Sequence, residues 1–69
     1  MIDSTTIYKG FLKEVERFLV EYKVPHTMFG LAVLNDPHFV NDLREGRKPA
    51  LTTIERVQKW IGNFKKSRG

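Results

Sequence analysis

DPHFVNDLREG, residues Asp36 to Gly46, carries a start signal, a stop signal and two opposite faces. Asp36 can cap a first helical turn. Pro37 suits the first helical position, where its missing N–H would have no partner in any case, and Gly46 suits a left-handed exit. Between them Phe39, Val40 and Leu43 form an apolar stripe, while His38, Asn41, Asp42 and Glu45 recur at i, i+3, i+4 and i+7 as a polar one. The spacing predicts a short amphipathic helix over Pro37–Glu45. A polar stripe on a short helix is usually an ordinary wet surface, so its neighbours decide its meaning.

Upstream lies TMFGLAVL, Thr27 to Leu34, a compact apolar run that periodicity alone leaves open between a strand and a buried helix. Gly30 and Ala32 leave little bulk on one side, which suits a close helix crossing, and no second strand exists to pair with it. A helix is the reading. Further back, Ile7, Phe11, Val15, Phe18 and Tyr22, supplemented by Leu19, recur at helical spacing and predict a first helix over Thr5–Lys23, capped by Asp3 or Ser4 and ended by Pro25. Downstream, the basic turn RKPAL leads to Thr52 and Glu55, a capping-box pair. Ile54, Val57, Ile61 and Phe64 then carry a core-facing stripe with Trp60 at its flank, so the last helix is expected to reach about Phe64 and the end, 64–69, to fray. The expected architecture is all-α: a small bundle of four to five helices, two long outer ones and two short inner ones.

Sixty-nine residues, 41% hydrophobic and 29% charged, suffice for one domain, 1–69, with a single modest core. A deep enzyme pocket plus its scaffold would need more chain, and nothing arranges Ser, His and Asp as a triad; the chain is read as no enzyme and as needing no cofactor. Without cysteine there is neither a disulfide nor a thiolate metal site, and His26 and His38 lack nearby acids at ligand spacing, so no metal is expected. The longest apolar run, Met28 to Leu34, is far below the roughly 20 residues of a membrane span, and the N-terminus lacks a signal pattern. A cytoplasmic protein is the expectation.

Net charge is +4, unevenly spread. Residues 1–43 hold four basic residues against six acids, a net −2, whereas residues 44–69 hold eight against two, a net +6. The positive field therefore starts where the short helix ends. For Lys65, Lys66 and Arg68 a solvated basic tail is an equally good account, and the mixed charges of the first helix, Lys13, Glu14, Arg17 and Glu21, read as a solvated face.

From about His26 to Ile61 the chain resembles the helix-turn-helix family of phage repressors and small Xre-like bacterial regulators. Phe29 and Gly30 match an apolar residue followed by a small one in the first motif helix, where a larger side chain would wedge the motif helices apart. Val40 and Leu43 match the buried aliphatics of the second. Gly46, Arg47, Lys48, Pro49, Leu51 and Thr53 follow the family's order of glycine, basic residues, proline, leucine and threonine.

The resemblance implies a lambda-repressor-like fold and sequence-specific binding to double-stranded DNA as a transcriptional regulator or repressor, nucleoid-associated. The helix at 37–45 would be the recognition helix in the major groove. Asn41 would then bond adenine, His38 a guanine acceptor, and Asp42 or Glu45 cytosine N4; Arg44 would meet guanine or, with Arg47 and Lys48, phosphates, and Thr27 would add a phosphate clamp. Both acids have an alternative in pairing internally: Asp42 with a nearby cation, Glu45 with Arg44 or Arg47. Palindromic recognition would call for a homodimer, for which Trp60 and Phe64 are candidate interface residues unless Trp60 simply covers the edge of the core. The two acids on the reading face motivate the competing reading, a protein-interaction module of the same fold docking on RNA polymerase or another protein. A weaker third reading takes the basic last helix to a membrane surface.

Overall fold

The computed structural model describes the backbone of residues 4–68 and the side chains of residues 7–67. Four helices follow one another among these residues: α1 (Ser4–Glu21), α2 (His26–Leu34), α3 (Phe39–Arg44) and α4 (Leu51–Arg68). The all-helical expectation holds, with α1 and α4 long and α2 and α3 short. The core takes Phe11, Val15, Phe18 and Leu19 from α1, Phe29 and Val33 from α2, Phe39, Val40 and Leu43 from α3, and Ile54, Val57 and Ile61 from α4. These are the stripe residues of each helix, which bury their apolar area because nothing else in so short a chain can. No polar or charged side chain is buried among the described residues.

Aromatic rings knit the end where α1, α2 and α4 meet. Phe18, buried, has its ring centroid 5.5 Å from Phe29, 5.9 Å from Trp60 and 5.2 Å from Phe64, and Tyr22 lies 5.2 Å from Phe64. Most of these pairs meet tilted or edge-on, the arrangement the ring quadrupole favours. Phe11 meets Phe39 edge-on at 6.4 Å, which extends the packing to α3.

Several boundaries and faces differ from expectation. Ile7 is 45% exposed rather than core-facing; at this end of α1 it is Tyr8 that packs against the core. The cap expected from Asp3 or Ser4 rests on side chains outside the described residues. α1 ends at Glu21, before Lys23, which is left-handed at φ 54°. The Lys23 N–H donates to the Val20 carbonyl and the Val24 N–H to the Leu19 carbonyl at 2.9 Å, a Schellman exit that uses lysine where glycine is usual.

The capping box at Thr52 and Glu55 is not used. The Ile54 N–H already donates to the Ala50 carbonyl at 3.1 Å, so α4 begins directly after Pro49–Ala50 and Thr52 lies inside it. α4 also does not stop at Phe64: the expected frayed tail is helical through Arg68, held at Phe64 by the ring packing against Phe18 and Tyr22.

Candidate functional site

α2, the turn after it and α3 form one tightly joined unit. The turn's left-handed residue is Asn35, at φ 56°, a conformation asparagine tolerates better than most side chains. Its N–H donates to the Leu31 carbonyl at 2.9 Å, and the Asp36 N–H reaches back to the Gly30 carbonyl at 3.1 Å. The chain thus folds back over Gly30. A Cβ there would collide with the Asp36 carbonyl oxygen and press on the Phe39 Cβ at 3.4 Å, so glycine is required for this crossing.

Asp36 then starts α3. Its Oδ1 accepts the His38 N–H at 3.0 Å, and its carbonyl accepts the Phe39 N–H at 3.3 Å. That tight first turn is why the α-helix proper spans Phe39–Arg44 and not the expected Pro37–Glu45. At the exit Gly46 adopts φ 99°, with its N–H on the Leu43 carbonyl and the Arg47 N–H on the Asp42 carbonyl, again a Schellman motif.

Phe39, Val40 and Leu43 turn inward, which leaves His38, Asn41 and Glu45 exposed on the outward side of α3. Each flank of that side is closed by an arginine–carboxylate pair. On one flank Arg47 Nη1 bonds Asp42 Oδ2 at 2.8 Å. On the other, Arg44 grips Glu16 of α1 with both arms of its guanidinium, Nε to Oε2 at 2.9 Å and Nη2 to Oε1 at 2.6 Å. That hydrogen bonding holds the Glu16 carboxyl below its ordinary range against the opposing effect of burial, with the Arg44 charge and then His26 adding to the shift; the same bond raises Arg44.

The expected site residues therefore separate into four groups. His38, Asn41 and Glu45 share an open face, and Glu45 has no ion pair among the described residues. Asp42 is engaged by Arg47, in line with the internal alternative, and Arg44 is engaged by α1 rather than by Glu45 or open space. Lys48 leans toward α1, its Nζ 5.8 Å from the centroid of the Tyr8 ring, while Thr27 is exposed on the first turn of α2. Trp60 and Phe64 are half-buried and stack on each other at 5.4 Å within the aromatic cluster, so each has an intrachain role. Glu16 and Tyr8 were not foreseen. Glu16 lies 28 residues from Arg44, and nothing in the spacing of either helix signals the pairing.

Beside α3 a concavity of about 340 Å³ lies against the head of α4, with Asp36, Asp42, Arg47, Lys48 and Thr53 in its lining. Among the described residues no three His, Cys, Asp or Glu side chains are grouped to hold a metal ion, and no helix is long and apolar enough to cross a membrane. No family model matches the chain, nor does any curated protein or solved structure.

Proposed function

We propose that the chain is a sequence-specific double-stranded DNA-binding regulator built on a lambda-repressor-like helix-turn-helix, with α2 and α3 as the two motif helices. The observation that carries this reading is the crossing of Asp36 over Gly30 combined with the outward, uncovered polar side of α3. A helix held that closely to its predecessor projects as a rigid ridge, and a ridge of α-helical width fits the major groove. On this reading Asn41 bonds adenine, and Glu45 and His38 beside it meet cytosine N4 and a guanine acceptor. Arg47 and Lys48, at the exit of α3, supply phosphate contacts; Arg47 is 72% exposed even while paired with Asp42. Thr27 adds a contact from the head of α2. Binding as a homodimer on a palindromic site belongs to the same reading, with Trp60 and Phe64, half-buried at the aromatic end of the bundle, as its candidate interface residues.

Selection of the full chain against a random duplex pool tests this directly. A short enriched motif is expected, with affinity falling as salt rises at a log–log slope of about −0.9 per phosphate contacted. An unenriched pool, or binding indifferent to salt, would overturn it.

Glu45 favours a second reading. A carboxylate with no ion pair among the described residues, on the outward face of α3, repels phosphates, and α2 beside it presents Met28 and Leu31, 61% and 47% exposed, and carries no Asp, Glu, Lys or Arg. A protein-docking module on the same scaffold, with RNA polymerase as a candidate partner, would use both. Stoichiometric capture of one protein, lost in Glu45→Lys and Leu31→Asp, together with failure to select any duplex, would establish it.

A further inference from the structure

α3 is six residues long, fewer than two turns, and so cannot fix its own direction by length. Its buried side chains Phe39, Val40 and Leu43 decide which side faces inward and the Gly30 crossing fixes its N-terminal end on α2, but apolar contact is non-directional and does not by itself set the tilt of the C-terminal end on α1. A forked arginine–carboxylate pair does the opposite, because two parallel hydrogen bonds set both a distance and a plane. Among the described residues the Glu16–Arg44 pair is the one ion pair that joins α3 to another helix; Asp42–Arg47 lies within α3 and its exit and cannot tie α3 to the scaffold. Glu16 sits in the middle of α1, whose neighbouring residues Val15, Phe18 and Leu19 are buried, so the carboxylate projects from a rigid platform. For Arg44 to reach a phosphate or a base it would have to give up two short bonds and leave an ionised carboxylate stranded beside the polyanion.

Resting on the reading of α3 as a recognition helix, we infer that Glu16 and Arg44 are positioning residues: the pair sets the tilt of α3 on α1 and thereby the sequence specificity, without either side chain touching DNA. Arg44 is accordingly removed from the base-reading set, which contracts to His38, Asn41 and Glu45.

The test compares the wild-type chain with Glu16→Gln, Arg44→Gln and the charge-swapped double variant Glu16→Arg/Arg44→Glu, each checked for helicity and cooperative unfolding. The readout is the ratio of affinity for the selected duplex to affinity for an unrelated duplex, with the salt slope measured on the selected one. Both single variants are expected to lose specificity by roughly two- to fivefold, the range of a well-formed exposed pair, and by the same factor as each other. The salt slope stays within about half a phosphate of wild type, and the swapped variant, which rebuilds the pair in reverse, recovers most of the lost ratio. An Arg44 that contacts DNA gives a different pattern: Arg44→Gln flattens the slope by about one phosphate and the swap, with a glutamate at the phosphates, is the worst of the set. That pattern, or a wild-type ratio in Glu16→Gln, overturns the inference and leaves the DNA-binding reading intact. A wild-type chain with no preference among duplexes overturns both.

Discussion

The carbonyl oxygen of Asp36 occupies the space in which a Cβ of residue 30 would lie. Gly30 is buried in the middle of α2, where glycine costs about 1 kcal/mol of helix propensity relative to alanine, so the position trades local stability for a close crossing. Gly30→Ala is therefore expected to destabilise despite its better propensity. The obstruction is backbone, which cannot rotate away as a side-chain tip can, and the cost is roughly 2–4 kcal/mol. Urea or thermal unfolding reads it, and an unchanged midpoint would mean that the turn relaxes freely.

Two helix exits use the same hydrogen-bond pattern with different residues at the left-handed position, lysine at 23 and glycine at 46. Lys23→Gly removes a Cβ from a conformation that disfavours one and should stabilise the fold by roughly 0.5–1 kcal/mol, after allowance for the greater freedom of glycine in the unfolded chain. Gly46→Ala should destabilise by about 1–2 kcal/mol for the converse reason. Opposite shifts in the unfolding midpoint are the expected result.

Acid should weaken the tie between α1 and α3. The carboxyl of Glu16 is held below its ordinary range chiefly by its hydrogen bonds with Arg44, with a small contribution from His26, so its folded pKa lies under the unfolded one. Its stabilisation is then present in full above the unfolded value of about 4.3 and disappears as pH falls through the lowered folded value. With both side chains about two-fifths exposed, the effect is of the order of 0.5 kcal/mol. Stability curves of wild type and Arg44→Gln should run parallel at neutral pH, a constant amount apart, and converge in strong acid; a gap that persists there would exclude Glu16 as its source.

On selected DNA the outward residues of α3 and the basic exit should behave differently. Asn41→Ala is expected to relax preference at one base pair, worth about 1–3 kcal/mol, with the salt slope retained. Arg47→Ala and Lys48→Ala should each weaken binding to every sequence and flatten the slope by about one. Asp42→Asn frees Arg47 and should steepen it. An Asn41→Ala variant that selects the wild-type motif would remove Asn41 from the reading face.

Much of this molecule is legible along the chain. The helical spacing of Phe11, Val15 and Phe18, and of Ile54, Val57 and Ile61, identifies both long helices and their buried sides, because a 3.6-residue period is a local property. Gly46 is likewise readable as the exit of α3, since its bonds span only three to five residues, whereas Asp36 and Pro37 fall in a tight turn ahead of the helix rather than in its first turn. Gly30 reads as a close crossing because side-chain volume is itself a sequence property.

Tertiary structure alone decided which cations near α3 are already engaged. Arg44 meets Glu16 across 28 residues and Lys48 approaches Tyr8 across 40, distances over which periodicity holds no information. Only the folded arrangement of α1 against α3 brings those charges and rings together. It likewise chose between the two accounts open for Trp60, setting its ring 5.9 Å from Phe18 at the edge of the core, beside Phe64, whose place on the inward stripe is readable from spacing.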